Sequence, residues 1–146
     1  MRTWDDFYEA AKKIRAVDSY ITSDSGDAGF FDSMTWLAGA TPFETSKDGE
    51  TVTINLTGDK NVKTFTDFWQ KMIDEDLIDT KTVGWTDDWN KGLDDGSIAS
   101  LLTGAWMPYN LLSGAPNGDG KWRIARCRPQ TAPRPTPRTV VPRWSS

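Results

Sequence analysis

The chain reads as an α/β fold, and three observations predict it. Stretches with apolar residues at helical spacing alternate with short apolar or alternating stretches of strand length. Turn signals rich in Gly, Asp and Pro separate them. And Gly92–Pro108, reading GLDDGSIASLLTGAWMP, leads from a helix end through an acidic turn into an apolar strand that breaks at Gly104. Trp106 then stands at a strand's carboxyl end, where ligands bind in open α/β sheets. An indole there suits stacking on the apolar C–H face of a sugar ring.

The first helix spans Thr3–Ala16. Thr3 is its N-cap, Asp6 the capping-box partner, and Phe7, Ala11 and Ile14 share one face. Ser19–Thr22 is a strand, Asp24–Gly29 a turn, and Phe30–Ala38 a helix closed by Gly39. Phe43–Leu56 is a hairpin turning at Lys47-Asp48-Gly49-Glu50, with Val52 and Ile54 alternating against polar neighbours. Asn61–Ile78 is the clearest helix, its stripe being Val62, Phe65, Trp69, Met72 and Ile73. Thr86 caps a helix to Leu93, with Asp87 and Asp88 in the first turn where the dipole favours acid. Ser97–Leu102 is the apolar strand, Pro108–Leu112 a helix start, Gly114–Gly120 a polar turn, and Lys121–Ala125 a last strand.

Composition narrows the function classes. The 146 residues make one domain or part of a larger one. With no His and one Cys, a His-based triad, a His metal site and an internal disulfide are excluded. No EF-hand spacing and no apolar run of membrane-spanning length occur. The pairs Asp87/Asp88 and Asp94/Asp95 invite comparison with a glycosidase, but adjacent carboxylates rarely face each other across a bond. Helix-terminus charge is the better account. No catalytic residue, cofactor or metal is expected. Eight Trp residues are an unusual supply of flat binding surface.

Charge is split along the chain. Residues 121–146 carry 7 basic side chains and no acid, whereas residues 1–120 hold 10 basic and all 21 acidic ones. Five of the 8 prolines also lie in that last stretch. A Pro- and Arg-rich tail over 126–146 is expected to be disordered. It could serve as a basic interaction arm. The preferred reading is a shifted reading frame: Arg126-Cys127-Arg128 can be encoded by codons that, read two bases on, give Met-Pro. No nucleic-acid partner is expected on that reading.

One set of stretches carries a family resemblance. They are Thr3-Trp4-Asp5-Asp6-Phe7, then Gly29-Phe30-Phe31 leading to Trp36 and Ala38-Gly39, then the helix through Phe65 and Trp69. Trp89, the DGSIASLLTGAWMP segment and Lys121-Trp122-Arg123-Ile124-Ala125 follow. In this order they resemble extracellular solute-binding proteins of bacterial ABC transporters, the family that includes maltose-binding protein. The resemblance covers about residues 3–125. It implies a partial periplasmic-binding-protein type II-like lobe over 1–125, most of the second of two lobes that close on a ligand. The first lobe and an export signal would precede Met1. Met1–Asp6 does not read as a signal peptide, so the chain as written would stay in the cytoplasm, whereas the family is extracellular and membrane-anchored.

The resemblance also implies a function: binding of a sugar or oligosaccharide for delivery to ABC permease subunits, without catalysis. Trp106, with Gly104 before it, matches the sugar-stacking tryptophan. Phe30 or Phe31 matches an aromatic walling the sugar, one of the pair facing in and the other out. Asp27 would offer a polar group near that helix start. Trp85 and Asp88 would edge the cleft or only pack the helix, and Trp36 and Trp69 match buried positions. One lobe offers half a cleft, so weak binding is expected. A truncated non-functional fragment and an interaction module with a basic tail are the other readings.

Overall fold

The computed structural model describes residues 3–125. The tail over 126–146, with its expected disorder and its frame, lies outside the described residues.

Five helices carry the structure. Helix α1 (Trp4–Arg15) starts as its sequence predicts. Thr3 Oγ1 accepts from Asp6 N–H at 3.0 Å, and Asp6 Oδ2 accepts from Thr3 N–H at 3.2 Å. Helix α2 (Ala28–Leu37) begins two residues earlier than its apolar pattern, because Asp27 caps it. Helix α3 (Lys60–Asp74) is capped by Asp59, whose Oδ1 accepts from Asn61 and Val62 N–H. It stops four residues before Ile78, since Asp76 takes a left-handed φ of 55° that no helix continues. Helix α4 (Asp87–Asp95) starts at Thr86 and ends at Gly96, whose φ of 86° suits only a residue without a side chain. Helix α5 (Met107–Gly114) carries Pro108 in its first turn, and a single 3-10 turn follows at Pro116–Gly118.

The extended part is sparser than expected. The hairpin is β1 (Phe43–Thr45) against β2 (Val52–Ile54), antiparallel, with Phe43 opposite Ile54 and Thr45 opposite Val52. It is shorter than Phe43–Leu56, and both strands are exposed. Ser19–Thr22 and Ser97–Leu102 form no regular strands. They meet in one parallel bridge, Tyr20 with Ile98, and Ser23 bridges Asp79 on the other side. Tyr20 N–H donates to the Ser97 carbonyl at 2.7 Å, Ala99 N–H to the Tyr20 carbonyl at 2.9 Å, and Asp24 N–H to the Asp79 carbonyl at 2.9 Å. So three extended segments run parallel, with residues 20–23 between 77–79 and 97–100. Each exchanges too few bonds to build a ladder. Lys121–Ala125 is not a strand either: it pairs with no strand among the described residues, and Ile124 is 89% exposed.

Two cores flank this layer. The first gathers Phe7, Ala11, Ile21, Met34, Phe65, Trp69, Met72 and Leu77 from α1, α2, α3 and the extended segments. The second is smaller and joins Trp89, Leu93, Ile98, Met107 and Ala115. At the amino-terminal side of the layer a clamp ties α1 to the end of α3. Arg15 Nη2 and Nε donate to Asp76 Oδ2 at 2.8 and 3.1 Å, and Nε also to the Asp76 carbonyl at 3.0 Å. The Arg15 guanidinium lies over the Tyr20 ring at 4.6 Å. Arg15, by hydrogen bond and charge, holds the Asp76 carboxyl below the ordinary carboxylate range.

Candidate functional site

The carboxyl ends of the three parallel segments open onto the loop at residues 23–27, the loop that begins at Asp79, and the turn at Gly104. Two buried indoles hold the first of these loops. Trp69 Nε1–H donates to Asp24 Oδ2 at 2.8 Å, and Trp89 Nε1–H donates to Ser23 Oγ at 3.0 Å. Asp24 Oδ1 accepts from Gly26 N–H at 2.9 Å, which shapes the turn. The loop thus sits between the two cores, tied to each by one residue. Nothing in the residue order around Ser23 and Asp24 marks this role. Their partners stand 66 and 45 residues away, a separation that leaves no local pattern.

Asp27, at the loop's end, caps α2: its Oδ1 accepts from Phe30 N–H at 2.7 Å. Phe30 and Phe31 do not divide into one facing in and one out. Both are half-buried against the first core. Phe30 lies 5.6 Å from the Trp69 ring, and Phe31 lies 5.9 Å from Phe65. A helix spaces adjacent residues about 100° apart, so both can flank a broad core face. Trp69 is buried as expected, but Trp36 is 57% exposed.

Asp79 anchors the second loop. Burial pushes its carboxyl up. Hydrogen bonds from the Thr82 side chain and from the Lys81 and Thr82 N–H groups outweigh this together, so it titrates below the ordinary carboxylate range. The loop then turns tightly, with Thr86 Oγ1–H donating to the Val83 carbonyl at 2.7 Å. This sets Trp85 just ahead of α4. Trp85 has φ 69°, a left-handed backbone that is strained for a bulky side chain. Its indole is 62% exposed and lies 5.0 Å from the Trp89 ring.

Trp106 meets the other side of Trp85. The two rings stack at 5.5 Å with 29° between their planes, and Trp106 is 54% exposed. Trp106 is the N-cap of α5, reached through a turn in which Met107 N–H donates to the Gly104 carbonyl at 3.2 Å. Gly104 serves close approach here. A Cβ at that position would lie 2.5 Å from Trp106 Nε1, so the indole rests over the glycine backbone.

The structure therefore brings Trp89, Trp85 and Trp106 into one stack, buried at Trp89 and more than half exposed at Trp85 and Trp106. It joins that stack through Ser23 to the Asp27–Phe31 region. Asp88 is exposed in the first turn of α4 and makes no part of the stack. The remaining acidic pair has structural work. Asp94 accepts from Asn117 N–H at 2.7 Å and Asn117 Nδ2–H at 2.6 Å, and Asp95 from Ser97 N–H at 2.9 Å. Chemically, the arrangement offers flat apolar faces beside hydroxyl and carboxylate groups, which suits a neutral ring with polar edges.

No protein-family model matches the chain. Its fold and sequence are nonetheless similar to a segment of the solute-binding proteins that serve ABC transporters, in agreement with the resemblance carried by its motifs. In particular, the chain is similar to the ABC transporter associated binding protein from B. animalis subsp. lactis Bl-04, solved in complex with beta-1,6-galactobiose. The TM-score is 0.81 and the identity 68%, over 87% of this chain and 31% of that chain. It is also 27% identical to a lactose-binding protein of Rhizobium radiobacter over 124 residues, which are 84% of this chain and 28% of the relative. The chain thus spans under a third of the length of either relative. Among the described residues no helix is long and apolar enough to cross a membrane.

Proposed function

We propose that this chain is part of the second lobe of an oligosaccharide-binding protein of an ABC transporter, and that it binds a sugar without altering it. The observation that carries the reading is the 68% identity and 0.81 TM-score to a binding protein holding a galactose disaccharide. The indole platform supports it independently. Trp106 provides the stacking face, Trp85 edges the cleft beside it, and Gly104 lets the indole lie flat. Asp27, Phe30 and Phe31 would form the adjoining wall, while Asp88, exposed in the first turn of α4, stands apart from the stack. Delivery would be to membrane permease subunits outside the cell, as the ABC transporter association of the relative suggests.

Binding by one part of a cleft is weak, because few polar contacts accompany the stack. Saturation-transfer NMR with β-1,6-galactobiose and with lactose suits that regime, with tryptophan emission followed in parallel. Saturable transfer and a shift in emission are expected. Trp106→Ala should lower affinity on the order of tenfold, the worth of one good stacking contact. Wild-type protein that takes up neither disaccharide would refute the reading.

A further inference from the structure

We propose that Trp85 is a displaceable cover on the Trp106 platform, so that a saccharide must compete with an indole of the protein itself. The inference rests on the saccharide-binding reading above.

Four observations meet at this residue. Trp85 stacks on Trp106 at 5.5 Å and 29°, occupying one face of the ring offered to a ligand. Its backbone is left-handed, φ 69°, a conformation that costs a bulky residue energy and persists only where surrounding contacts compensate. Those contacts are slight for a tryptophan: the side chain is 62% exposed, and its ring neighbours are Trp106 and Trp89. Finally, Gly84 precedes it with nothing within 4 Å of where a Cβ would sit, so no side chain packs against that point of the backbone ahead of the ring.

These features make a spring-loaded arrangement. The stack holds Trp85 in a strained backbone. A sugar that takes the Trp106 face removes one of the two ring contacts, and the backbone relaxes as the indole leaves. Relief of strain then offsets part of the lost stacking. Trp89 stays in place throughout, since it is buried and bonded to Ser23. A ligand with too little ring face to replace an indole gains nothing by entering, so the cover also sets which saccharides bind.

The test uses the full chain with Trp85→Gly and Trp85→Asn. Both residues tolerate a left-handed backbone, so the fold should survive, and two variants guard against one failing to fold. Stacked indoles couple excitonically and give a bisignate far-ultraviolet circular dichroism band. That band should be present in the wild type, fall when β-1,6-galactobiose saturates it, and be absent from both variants. Both variants should bind the disaccharide about threefold to tenfold more tightly than the wild type, the range expected when one competing stack is removed. Equal or weaker binding by the variants overturns the cover and leaves the saccharide reading standing. So does a couplet that saturation does not change. If neither the wild type nor the variants bind, the saccharide reading itself fails and the cover falls with it.

Discussion

Two aromatic assemblies in this molecule use the same side chains to opposite ends. In the first core, Trp4, Phe7, Phe30, Phe31, Phe65, Phe68 and Trp69 close on one another in tilted, edge-on and stacked contacts, with α1, α2 and α3 supplying rings from three directions. In the second, Trp89, Trp85 and Trp106 follow one another outward, and the last two keep more than half their surface in water. The difference lies in backbone support rather than in composition. A ring enclosed by helices stabilises the fold. A ring on a turn, next to a glycine, leaves a face for something else.

That contrast can be broken at either end. The largest effect is expected from Trp69→Ala, which empties a buried site and strips Asp24 of its indole donor. It should cost about 3–5 kcal/mol, seen as a large drop in the urea midpoint. Trp106→Ala should leave the unfolding free energy within about 0.5 kcal/mol of the wild type, because the ring is mostly exposed, while binding falls as described above. If Trp106→Ala unfolds the chain, the second assembly is core after all. Gly104→Ala should be milder. Its methyl would displace the Trp106 indole by contact at 2.5 Å, weakening disaccharide binding a few-fold with a small change in melting temperature. Emission from Trp106 should shift in this variant even without ligand.

The smallest effect concerns pH and the Arg15–Asp76 clamp. Asp76 has a folded pKa below its unfolded value of about 3.9. Its contribution is therefore fully present above that value and is lost as pH falls through the depressed one. Asp76→Asn should lower the melting temperature slightly at neutral pH and flatten the acid limb of the stability profile. An unchanged acid limb would show that the clamp is not a source of acid sensitivity. Solvent screens an exposed pair of this kind, so the change should be small.

How far these features can be read from residue order varies with their range. Caps and stripes are local: α1 and α4 start where Thr3 and Thr86 make them start, while α3 starts one residue ahead of Asn61 because Asp59 caps it. The apolar run past Asp74 reads as more helix, yet Leu77 and Ile78 are buried by an extended segment after the left-handed Asp76. Strands depend on partners. The apolar character of residues 97–102 is real, but a ladder needs paired neighbours on the sheet, and here one bridge forms. Trp106 and Gly104 were legible because glycine, tryptophan and proline mark a turn. The stacking of Trp85 on Trp106 crosses 21 positions and gives no local sign. Trp36 failed because its helix has a weak sidedness, apolar nearly all round, so pattern alone cannot choose its buried face.

The two indole tethers have a mechanical consequence. Ser23 and Asp24 are consecutive, yet one is fastened to Trp89 and the other to Trp69, each at the heart of a different core. They act as a rivet through the seam between two packed bodies. Neither body can loosen without pulling on a residue whose neighbour belongs to the other. Melting should therefore be a single all-or-none event, with calorimetric and van't Hoff enthalpies in agreement. Ser23→Ala together with Asp24→Ala should remove the rivet and let the smaller core melt ahead of the larger.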